Sequence, residues 1–141
     1  MKTIKILAIA ILLTGVASAQ DVPQSQVPSV VVNSFKKEFP KASDVEWEKQ
    51  NDQYNVEFEI GFFTDYKAWF DPTGKMIKYT EEIWNSKLPE TIKNTIKTQY
   101  KGYRIDEAKK ITENMVVTYS VEIEKGNHEL KLVFSEDGKL I

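Results

Sequence analysis

Cysteine is absent from the chain, which excludes disulfide staples, thiolate nucleophiles and cysteine-bearing metal sites. Histidine occurs once, at His128, and a lone imidazole cannot build a multi-histidine zinc site. An excess of positive charge is missing too: 19 Lys and Arg stand against 21 Asp and Glu. That balance argues against a nucleic-acid partner, because phosphate binding needs a basic face. Neither GxSxG nor HExxH occurs, so the commoner hydrolase templates are lacking.

Long apolar runs are nearly absent as well, and the single one lies at the start. Lys2 and Lys5 lead into Ile6 to Leu13, and Ala17-Ser18-Ala19 follows with the small-x-small pattern of a cleavage site. These features predict a secretory signal peptide over residues 1–19. The run is shorter than the ~20 residues of a membrane span, and without cysteine no lipid can be attached. The expected product is a periplasmic or secreted domain, with no membrane insertion after signal cleavage. Residues 20–26 read as a flexible lead-in and 27–141 as one domain, long enough to enclose a core.

What is present, in place of catalytic motifs, is an internal repeat. Tyr54-Asn55-Val56-Glu57-Phe58-Glu59-Ile60-Gly61 recurs 65 residues later as Tyr119-Ser120-Val121-Glu122-Ile123-Glu124-Lys125-Gly126. Phe70 to Ile77 recurs 64 residues later as Phe134 to Ile141, with Gly74-Lys75 matched by Gly138-Lys139. Val27-Pro28 with Val31, Phe35 and Phe39 recurs 61 residues later as Leu88-Pro89 with Ile92, Ile96 and Tyr100. Three blocks in one order define two repeats, 27–84 and 88–141. Two copies are too few for a solenoid.

Each repeat opens with a helix. Apolar residues four apart keep to one side of it, and Pro28 and Pro89 are expected at the first helical position. Strands follow. Val45 and Trp47 alternate with Glu46 and Glu48, and Tyr54, Val56, Phe58 and Ile60 alternate with Asn55, Glu57 and Glu59. Tyr66, Ala68 and Phe70 continue the pattern, and Val117 to Ile123 and Leu130 to Phe134 repeat it. Period two marks strands with one buried face, typical of antiparallel sheet. The predicted architecture is α+β: two helix-plus-three-or-four-strand units, their sheets joined or adjacent, helices covering one face.

The paired Val-Pro and Leu-Pro helices, the Tyr-x-Val-Glu strands, the Gly-Lys hairpins and the signal segment together resemble the PepSY-like (beta-lactamase-inhibitor-like) family of exported bacterial proteins. The resemblance spans about Val27 to Ile141. It implies tandem helix-and-sheet repeats and a role in binding or restraining secreted enzymes, and it carries over no catalytic residue and no cofactor.

Chemistry finds little foothold in the remaining residues. His128 beside Glu129 reads as a polar hairpin residue. Glu46, Glu48, Glu57 and Glu59 share one strand face and read as a solvated surface rather than a glycosidase pair. Asp71, Glu136 and Asp137 sit in turns without the spacing of a calcium loop. Aromatic residues say more. Trp47 shares the parity of Val45 and is expected in the core, whereas Trp69 points out of it, with Val133 as its match and Lys67 and Lys131 two residues away from each. Trp69, Val133, Lys67, Glu57 and Glu59 therefore make a candidate docking face. Phe62 and Phe63 are further candidates, because the second copy has Asn127 and His128 there. Trp84 is expected to seal the junction between repeats.

The reading that results is a non-enzymatic module, without metal or cofactor, that binds an exported protein and acts as an inhibitor or regulator of it. Alternatives are a carrier of a small ligand or polymer, and a carboxylate-dependent hydrolase. The short, Lys-bearing edge after Gly138 predicts a monomer.

Overall fold

The computed structural model describes residues 18–141. Apart from Ser18 and Ala19, the expected signal segment lies outside the described residues. Helix α1 spans Ser29–Glu38 and helix α2 spans Glu90–Gln99. Pro28 and Pro89 are their N-caps, one position earlier than expected. The reason is that the proline carbonyl already accepts the first helical bonds, from Val31 and Val32 in one helix and from Ile92 and Lys93 in the other. Each proline follows a short 3-10 turn, Gln24–Gln26 or Asn85–Lys87. Both helices close on an aromatic C-cap, Phe39 and Tyr100, with nearly the same backbone angles.

Eight strands form one sheet in sequence order, each antiparallel to its neighbours. They are β1 (Gln20–Asp21), β2 (Ser43–Gln50), β3 (Gln53–Glu59), β4 (Asp65–Phe70), β5 (Met76–Glu82), β6 (Arg104–Glu113), β7 (Val116–Lys125) and β8 (His128–Ser135). The lead-in 20–26 is not a loose segment. Gln20 and Asp21 pair with Lys49 and Glu48, and the Val22 amide donates to the Trp47 carbonyl at 2.9 Å. This pairing satisfies backbone groups that β2 would otherwise leave bare at the sheet edge. The two halves are joined, not merely adjacent, because β5 and β6 pair from Lys78↔Glu113 to Glu82↔Lys109.

Two apolar cores result. Val31, Val32 and Phe35 of α1 pack with Trp47, Val56, Phe58, Ala68 and Phe70. Ile92 and Ile96 of α2 pack with Ala108, Tyr119, Val121, Ile123, Leu132 and Phe134. Phe35 is the hub of the first, with Trp47 edge-on at 5.3 Å and Phe58 edge-on at 5.0 Å; such aromatic geometry adds to burial alone. Directly opposed residues in an antiparallel ladder share a face. Val56↔Ala68↔Tyr79↔Thr112↔Val117 therefore places both cores on the same side of the sheet.

Candidate functional site

The other side of the sheet carries the intervening residues, and it is not flat. A trough of about 570 Å³ runs across it. Six carboxylates line the trough, from Asp44, Glu46, Glu57, Glu59, Asp65 and Glu82, against three lysines, Lys67, Lys109 and Lys131. The solvated surface expected of these glutamates is thus concave rather than flat, as the twist of a long antiparallel sheet allows.

Cross-strand ion pairs organise the trough floor. The Lys67 ammonium donates to Glu57 at 2.6 Å and to Glu48 at 2.9 Å. Burial works against its charge, but these two carboxylates hold it above the ordinary lysine value. Glu57 faces Lys67 across the β3–β4 ladder. At the matched positions of the second half Glu122 faces Lys131, with a 3.1 Å ion pair. Lys109, paired with Glu107 at 2.5 Å, is likewise held above its ordinary value by that carboxylate. Glu82 behaves in the opposite sense for an acid. Burial, then repulsion from Glu107 and Asp65, pushes its carboxyl up. Tyr66, at the trough edge, is pushed up to about 12 by burial and by Glu81, so its hydroxyl stays protonated.

Trp69 lies on this face, half-buried, opposite Asn55 and Lys78. The Lys78 and Lys67 ammonium groups stand 4.7 Å and 5.8 Å from its ring centroid, a cation–π arrangement that holds the indole in place. Asn55 is only 2% exposed and its Oδ1 has no hydrogen-bond partner. The match of Asn55 is Ser120, the other buried polar residue among the described ones, which faces Val133. Val133 shares the face of Trp69 but does not join it in one patch. Three strands intervene, and four inter-strand spacings amount to roughly 19 Å.

Phe62 and Phe63 are 91% and 82% exposed in the β3–β4 turn. Trp84, expected at the junction between halves, is instead 70% exposed. Its backbone angles match those of Pro23, which caps the first 3-10 turn, so an aromatic is not needed there to close the chain. Phe63 and Trp84 line a second notch of about 430 Å³ that shares Glu82 with the trough. Glu82, Asp106, Glu107 and Lys109 were not signalled by the strand alternation. A bulge between Ile105 and Glu107 breaks that pattern in β6.

The turn acids have structural occupations. Asp71 Oδ1 accepts from the Thr73 amide and hydroxyl and from the Lys75 amide. Asp137 accepts from the Ser135 hydroxyl in the matching hairpin. His128 is exposed, across from Lys125. Among the described residues, Asp106, Glu124 and Glu129 bring carboxylate oxygens within 4.8 Å of one another, and Arg104 already pairs with Glu124.

An antiparallel meander with two helices and a hollow charged face defines an α+β class of small domain. The chain belongs to the family described as "Putative beta-lactamase-inhibitor-like, PepSY-like", whose model matches residues 16–62 and 52–141. Solved structures share the fold at low identity. A DUF2874 family protein from Bacteroides ovatus is 20% identical with a TM-score of 0.72, over 81% of this chain and 84% of that one. A BLIP-like protein from Bacteroides fragilis is 20% identical, TM-score 0.69, over 80% and 82% of the two chains. A protein from Bacteroides eggerthii described as "putative periplasmic" is 16% identical, TM-score 0.73, over 82% and 86%. Among curated proteins none matches the chain. No helix of the described residues is long and apolar enough to cross a membrane.

Proposed function

We propose that the protein is an exported, non-enzymatic binding module, made of two copies of one helix-and-strand unit, whose hollow sheet face grips another exported protein and restrains or regulates it. One observation carries this reading: Trp69 stands on the open face, steadied by two lysines beside a charged trough. The second half supports the same ladder with Val133 at that place, so the fold does not demand an indole. A large, rigid aromatic amid complementary charge is the usual anchor of an interface. The name of the Bacteroides fragilis relative is consistent with a binding role.

Trp69→Ala should leave the circular dichroism spectrum unchanged and weaken retention of a partner from an extract of exported proteins. The loss expected of an anchor is about 2 kcal/mol, roughly thirtyfold in affinity. Retention equal to the parent protein would remove this face from the binding role. A hydrolase reading draws on one feature only, the raised Glu82 carboxyl in a concave site. Turnover on a panel of glycosides, abolished by Glu82→Gln, would favour it instead.

A further inference from the structure

The notch beside the trough gathers residues that the two halves do not share. Phe62 and Phe63 stand where the second half has Asn127 and His128, and Trp84 stands where the first half has Pro23 with the same backbone angles. Both Phe63 and Trp84 remain mostly exposed while lining one concavity. Exposed aromatics gathered at one concavity keep apolar surface in unfavourable contact with water, and such patches mark interaction sites. Phe63 also holds φ at +59°, an unfavourable region for a bulky residue. Nothing in the ladder requires an aromatic at either position.

Three of the seven other lining residues are acids, Glu82, Asp106 and Glu107, and no lysine or arginine is among them. Asp106 and Glu107 are consecutive, and a regular strand would send their side chains to opposite faces. The bulge between Ile105 and Glu107 breaks that alternation, and both residues line the notch, the Asp106 carboxylate lying also within 4.8 Å of those of Glu124 and Glu129. Lys109 neutralises part of this charge through Glu107, yet it sits on the trough side together with only two other lysines. Trough and notch joined hold eight carboxylates and three ammonium groups. Aromatic faces beside surplus carboxylates are the chemistry that receives an organic cation. A guanidinium fits it better than an ammonium, since its plane stacks on rings while its N–H groups reach carboxylates.

We infer that the notch between Phe63 and Trp84 receives an arginine side chain presented by the bound protein. This rests on the reading of the chain as a protein-binding module and assigns the partner a basic, arginine-bearing loop. The arginine stacks between the two rings and its guanidinium meets Asp106 and Glu107. The trough then takes the flanking, positively charged surface.

The test uses the intact protein and a capped Gly-Gly-Arg-Gly-Gly peptide, with Gly-Gly-Gln-Gly-Gly as control. Isotope labelling of the three indole N–H groups lets Trp47, Trp69 and Trp84 be followed separately by NMR. The arginine peptide should shift the Trp84 signal saturably at millimolar concentration, and the glutamine peptide should not. Phe63→Asn, which keeps a residue tolerant of positive φ, and Asp106→Asn should each weaken that binding about fivefold. A Trp84 response equal for both peptides, or none, overturns the inference, and so does binding unaffected by both substitutions. The two readings fail separately. Loss of partner retention in Trp69→Ala with no arginine response at Trp84 leaves the sheet face standing and removes the notch. An arginine response at Trp84 with undiminished retention in Trp69→Ala does the reverse.

Discussion

Glu82 is an acid whose surroundings oppose its charge. Burial comes first, then Glu107 and Asp65, with Lys109 offering partial relief. A carboxyl raised above its ordinary 4.5 in the fold binds protons that the unfolded chain has already released. Its contribution therefore falls as pH rises through the window that begins near 4.5, and returns as pH drops below it. Glu82→Gln should raise the urea midpoint at pH 7, by an amount under about 1 kcal/mol after solvent screening, and the gain should shrink towards pH 4.5. An equal gain at both pH values would show that charge is not its source. Measurement belongs above pH 4, because Asp71 and Asp137 are held below their ordinary 3.8 by the Thr73 and Ser135 hydroxyls; their contributions fade as pH falls through that lower range. Glu82 also marks where sequence reasoning stopped. Strand alternation placed Glu57, Glu59, Lys67 and Trp69 on one face, and the register agrees. Alternation within a strand cannot say which strands of the other half lie alongside, so Lys109 and Asp106 stayed hidden until β5 met β6.

At the scale of elements, the hairpins bind the helices to the sheet. Gly74 and Gly138 both adopt φ of +86°, and a Cβ at either would strike a helix. At Gly74 it would meet the Val30 carbonyl oxygen at 2.9 Å, and at Gly138 it would meet Thr91 Cβ at 2.8 Å. The Thr95 hydroxyl adds a hydrogen bond to the Gly138 carbonyl at 3.2 Å. Backbone strain and helix displacement then act together. Gly138→Ala should lower stability by about 1–3 kcal/mol in a urea titration. Gly126→Ala, at a positive φ with open space around it, isolates the backbone part and should cost less. Equal losses would mean that the helix contact is irrelevant. These hairpins were legible because Thr-Gly and Asp-Gly announce a turn. Strand β6 was not. Its apolar residues fall at Ile105, Ala108 and Ile111; the bulge keeps Ile105 and Ala108 on the core side although they are three apart, which a period-two reading discards, and regular alternation resumes beyond it. Ile111 accordingly turns to the trough while Ala108 joins the core.

At the scale of the whole molecule, the described residues form one sheet but two cores, and the seam between them is polar. Along β5 and β6 the facing pairs include Lys78↔Glu113, Glu81↔Lys110 and Glu82↔Lys109. Exposed or half-exposed charge pairs of this kind contribute little. Coupling between halves therefore rests mainly on five paired positions of backbone ladder, while each helix is bound to its own strands by a buried aromatic and aliphatic cluster. Such an arrangement lets one half open while the other persists, because local stability follows buried apolar contact. Phe134 is fully buried in the second core, and Phe134→Ala should cost about 3–5 kcal/mol of the free energy that holds that half. Amide hydrogen exchange in the variant should lose protection across α2 and β6 to β8, whereas α1 and β2 to β4 keep most of theirs. Phe70→Ala, at the matched place in the first core, should show the mirror pattern. Uniform loss of protection over both halves in either variant would mean that the seam transmits unfolding completely. The trough, which draws residues from both sides of that seam, would then be as rigid as either core.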